Sequence, residues 1–166
     1  MGRFTWRPAI AHRHLRTRPV LIELLPDSVE VFEGKPFVHE FTVPADASNA
    51  VCKGEFTVEP RPQGHVNMLV VTAAGLQQWR QLFSSGNREA TRDVSASGGV
   101  LYHASETIAE SFEVKLAPGT YDVVFEFSGS ADEPSDHYGG DGIGVPSRDV
   151  RSRIALSYDL PNEEYK

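Results

Sequence analysis

One stretch, Ser111 to Ser128 (SFEVKLAPGTYDVVFEFS), limits the fold more than any other. Phe112, Val114 and Leu116 alternate with Glu113 and Lys115. After Ala117-Pro118-Gly119-Thr120, Tyr121, Val123, Phe125 and Phe127 alternate with Asp122, Val124 and Glu126. A strand turns successive side chains to opposite faces, so this alternation puts one set in a core and the other outside. Two such runs around a short Gly-containing turn read as two β-strands and set the class as an antiparallel β-sandwich.

The same rhythm runs through most of the chain. Val29-Glu30-Val31 alternates, and Glu33-Gly34-Lys35-Pro36 turns the chain. Phe37, His39, Phe41 and Val43 share a face until Pro44, and Ala45 to Ala50 has the composition of a loop. Phe56 and Val58 belong to another strand, stopped by Pro60 to Gly64. Val66 to Thr72 is apolar on both faces, the mark of a central strand. Leu76, Trp79, Leu82 and Phe83 have the spacing of a short amphipathic helix, bracketed by Gly75 and Gly86 and placed to cap one open end. Ser84 to Gly99 has loop composition, and Val100 to His103 is a short strand. Ser128 to Arg148 is long and polar. A last strand places Ile154, Leu156, Tyr158 and Leu160 on one face. The expectation is an all-β fold: an antiparallel β-sandwich or jelly roll of about eight strands with one short helix.

With 166 residues, one domain is expected. We divide the chain into a basic N-terminal arm (1–26), a β-sandwich domain (27–161) and a C-terminal tail (162–166). Charge marks the first boundary. Arg3, Arg7, Arg13, Arg16 and Arg18 stand in the first 22 residues with no acid among them. The remainder holds 11 basic and 23 acidic side chains, a balance of −12. An acidic body argues against nucleic acid as a partner. The arginines suit an unstructured arm or one folded back on the acidic body, and leave room for peripheral contact with an anionic membrane. No apolar run approaches the roughly 20 residues of a membrane-spanning helix, and the amino terminus lacks a signal-peptide core. The single cysteine, Cys52, has no partner for an internal disulfide, so a cytoplasmic setting is expected.

The alternating strand Phe112-x-Val114-x-Leu116, then Gly119-x-Tyr121, then Val123, Val124 and Phe125, resembles the GOLD (Golgi dynamics) domain. The last strand, Ile154 to Tyr158, matches as well, and the resemblance extends over about Val29 to Leu160. Ser128 stands near where an asparagine is usual, and the connection from Gly129 to Asp149 is long. The resemblance implies an eight-stranded sandwich acting as an interaction module in membrane-trafficking and lipid-associated proteins, with no enzymatic residues to carry over.

The residues supply few candidates for chemistry. In the loop 131–142, Asp132, Asp136 and Asp141 have the oxygen ligands that calcium takes, though not the spacing of an EF-hand. No Gly-x-Ser-x-Gly elbow accompanies the serines. Gly140-Asp141-Gly142-Ile143-Gly144 lacks the strand and helix of a dinucleotide turn. His12 and His14 lie in the basic arm, away from the strand positions of a metal-binding jelly roll. Trp79 suits a core anchor better than a sugar platform. The expected function is therefore a non-enzymatic interaction module that binds a protein partner. The alternative is a calcium- or carbohydrate-binding module that uses residues 132–142.

Overall fold

The computed structural model describes residues 16–59, 64–87, 90–95, 98–128 and 146–162. They form an all-β sandwich of two antiparallel sheets with a helical layer on one side. In chain order the elements are β1 (Thr17–Glu23), β2 (Ser28–Phe32), β3 (Phe37–Val43), β4 (Ser48–Glu59) and β5 (His65–Thr72). The helices α1 (Ala73–Ser84) and α2 (Ala90–Ser95) follow, then β6 (Val100–Thr107), β7 (Ala109–Leu116), β8 (Gly119–Ser128) and β9 (Ser147–Pro161).

One sheet has the order β1-β9-β4-β7, with β2 also on β9. Residues 155–161 of β9 pair with β1, and residues 147–151 pair with β2. Leu24 and Leu25, between β1 and β2, are buried. The other sheet has the order β3-β8-β5-β6. The facing sides build the main core: Val31, Cys52, Phe56, Val58, Ile154 and Leu156 against Val66, Met68, Val70, Val123 and Phe125. Phe56 meets Phe125 edge-on, with ring centroids 5.1 Å apart. The turn between β7 and β8 is pinned by the Tyr121 hydroxyl, which donates to the Ala117 carbonyl at 2.7 Å.

The structure differs from the sequence expectation in four places. First, a strand the sequence did not mark, Thr17–Glu23, pairs with the last strand. This strand lies inside the stretch assigned to the basic arm. Its pattern carries little period-two signal, since six of its seven residues are exposed. Second, β4 starts at Ser48, within the expected loop. Asn49 adopts a left-handed φ of 52° at a register shift and donates through Nδ2 to Asp159 at 2.9 Å. Third, α2 falls within the expected loop 84–99. Six residues are too few to show a helical period.

Fourth, the helices do not cap an open end. Leu76 and Trp79 of α1, with Ala90 and Val94 of α2, pack on Leu69, Val71 and Val124 to form a second apolar layer. These three belong to the outward faces of β5 and β8, which explains why Val66 to Thr72 is apolar on both sides. Thr72 caps α1, its Oγ1 accepting from the Gly75 N–H at 3.1 Å. Gly75 allows the helix to sit against the start of β6, since a Cβ there would lie 2.3 Å from the Gly99 carbonyl oxygen. No helix among the described residues is long and apolar enough to cross a membrane.

Candidate interaction face

The two sheets have different outer faces. That of β3-β8-β5-β6 lies under the helices, whereas the outer face of β9-β4-β7 holds an open trough of about 810 Å³. Its residues follow from register. Arg153 stands opposite Glu55, and Glu55 opposite Ser111. In the next row outward, Arg151 faces Thr57 and Thr57 faces Ala109. Asp27 also lines it, with buried Phe56 and Ser152 beneath and Glu110, in the inward phase of β7, at its end. Short Thr57, Ala109 and Ser111 leave the floor low, and the longer charged side chains form the walls. Arg151 and Arg153 are exposed, two apart on one face of β9, and neither guanidinium bonds or pairs with another described residue. Two fixed cations without partners can meet carboxylates of an incoming chain.

The next outward row is acidic, with Glu30 opposite Asp149 and Asp149 opposite Glu59. Ser28 donates to Asp149, and Ser147 donates to Glu30 at 2.8 Å. Among the described residues, however, no three His, Cys, Asp or Glu side chains are arranged to hold a metal ion.

The expected calcium ligands Asp132, Asp136 and Asp141 lie outside the described residues, as do Arg3, Arg7, Arg13, His12 and His14. Arg16 and Arg18 are exposed at the start of β1. Cys52 has no exposed surface, and burial pushes its thiol up to about 12, far from the range of a nucleophile. Trp79 is a core residue, stacked on Phe83 at 5.0 Å. His39 is half-buried on the edge strand β3. Glu113 projects outward as its alternation requires. The carboxylate of Glu110 bonds the Tyr102 hydroxyl, and burial first, then this carboxylate, raises the phenol to about 12.

Two polar clusters are not evident from the sequence. On the outer face of β6, Ser105 Oγ lies 2.5 Å from His103 Nε2, and burial lowers the His103 pKa. Under α2, Glu126 accepts hydrogen bonds from Thr91 Oγ1 and, at 3.4 Å, from Asn67 Nδ2. Alternation places Glu126 outside the main core, which is correct, but that face is covered. The clue is Val124, an apolar residue between Asp122 and Glu126 on the supposed solvent side.

Comparison with protein-family models and with curated proteins finds no match for the chain.

Proposed function

We propose that this protein is a non-enzymatic β-sandwich interaction module, and that its protein partner docks on the outer face of β9-β4-β7. The observation that carries this reading is the asymmetry of the two sheets. One outer face is covered by the chain's own helices, and the other carries a trough walled by two arginines that have no partner among the described residues. Among the described residues the trough's aromatic side chain is Phe56, buried beneath it and not open for a sugar face to stack on, so a charged polypeptide suits it better than a carbohydrate. The GOLD-like strand-turn-strand from Phe112 to Phe125 adds support, because that family acts through binding. A reducing cytosol is the setting we assign, on the strength of the lone buried thiol at Cys52.

The test is affinity capture with the wild type and with Arg151→Glu/Arg153→Glu, followed by calorimetry with the purified partner. Both side chains are exposed, so the double variant stays folded, with a melting temperature lowered by a few degrees at most because Arg153→Glu sets a like charge opposite Glu55. It is expected to lose a partner that the wild type binds stoichiometrically. Equal capture of every protein by both forms would overturn the assignment of this face.

A further inference from the structure

The network under α2 joins more of the fold than any other polar cluster among the described residues. The α2 segment has six residues, too few for a helix to hold by itself in water. It lies down through Ala90 and Val94, which enter the second apolar layer, and through buried Thr91. The Thr91 hydroxyl accepts from Trp79 Nε1 at 3.3 Å and donates to Glu126 Oε2. Asn67 of β5 donates to the same oxygen, while its Oδ1 accepts from the Glu106 N–H at 2.9 Å. Glu106 has a left-handed φ of 48° at the bulge where β6 shifts register on β5. One buried carboxyl thus links α2, α1, β5 and the bulge of β6.

We infer that Glu126 is a latch for α2, and that ionisation of its carboxyl loosens this helix from the sheet. Burial raises the pKa of Glu126, and hydrogen bonds from Thr91, Asn67 and Trp79 oppose the rise without cancelling it. Undocking α2 returns the carboxyl to water. The group therefore holds its proton more tightly with the helix down, and raising the pH through its docked pKa favours the helix-up state.

The elements packed here carry other ionisable groups: Asp122 on the same strand, Glu40 of β3, His65 of β5, His103 and Glu106 of β6, Arg80 of α1, and Arg92 and Asp93 of α2. Burial lowers the pKa of His103, so acid works against the burial of that ring.

The test is amide exchange of residues 90–95, corrected for intrinsic rates, from pH 4.5, the ordinary value of the carboxyl, up to about pH 8. Protection of α2 relative to β5 is expected to fall roughly tenfold for each unit by which docking raises the pKa. Glu126→Gln, an isostere without the charge, should flatten the profile. Thr91→Val should lower protection across the range. The profile of the wild type alone decides the matter if either variant fails to fold. A flat wild-type profile overturns the latch, and so does a fall that persists in Glu126→Gln.

Discussion

Gly54 sits on β4 opposite Ile154 of β9 with no room for a side chain, and Gly54→Ala tests how tightly the five-stranded sheet is built. A Cβ at this position would lie 2.3 Å from the Arg153 carbonyl oxygen and 2.8 Å from both Cα and Cγ1 of Ile154. Two of these atoms are backbone, and Ile154 is a buried core residue, so none yields easily. Reaching even a 3.0 Å contact requires the strands to part by roughly 0.7 Å. Overpacking of this kind costs about 1–3 kcal/mol. Loosening one neighbouring ladder bond adds about 1 kcal/mol. The stiffer unfolded chain of the alanine variant offsets about 0.5–1 kcal/mol. The net loss is then about 1–3.5 kcal/mol, equivalent to a melting temperature lower by roughly 2–14 °C in a chain of this size. Urea unfolding provides the assay: the midpoint should fall while the slope stays constant. Lys53→Ala, at the exposed neighbouring position, is the control and should change little. A Gly54→Ala protein as stable as the wild type would refute the close approach of β4 and β9 and the trough geometry derived from it.

Three further outcomes are expected. Phe56→Ala removes one ring of the edge-on pair with Phe125 from the centre of the core and should cost about 3–5 kcal/mol in urea unfolding. Asp122 is raised by burial first and then by the charge of Glu40, with Arg80 and His39 opposing. Its folded pKa exceeds its unfolded one, so its contribution is most favourable in acid and is lost as pH rises through the folded value. Glu40→Gln should therefore raise stability near neutrality and flatten the pH profile between about pH 4 and 7. Finally, Cys52, raised to about 12, should resist a disulfide reagent at about pH 8 in the native state and react fully in denaturant. Rapid reaction of the native thiol would contradict its burial.

The parts of the fold legible in the sequence are those where alternation meets a core on one side. β7 and the last strand show this, since Phe112 to Leu116 and Ile154 to Tyr158 bury every second residue. Val66 to Thr72 was legible as a central strand because it is apolar on both faces. Legibility fails where burial is one-sided and shallow. β1 is an exposed edge with only Val20 partly covered, so no period marks it. The trough was not legible either. Arg151, Arg153, Glu55 and Thr57 each occupy an ordinary solvent phase, and only the register of three strands distant in sequence gathers them. The Glu126 network was missed for a related reason. Alternation says which face a side chain takes, not whether something covers that face.

The pairing of β9 also fixes the order in which the sandwich can be assembled. Its first turn of partners is as far apart in sequence as Thr17 and Pro161, and the same strand separates β1 and β2 from β4. Until β9 emerges during synthesis, β1, β2 and β4 lack the strand that joins them, and their apolar faces have only half a sheet to close against. The sheet bearing the trough is then completed late, through long chain closures that slow folding. The β5-β8 pairing, from elements nearer in sequence, is free to form first.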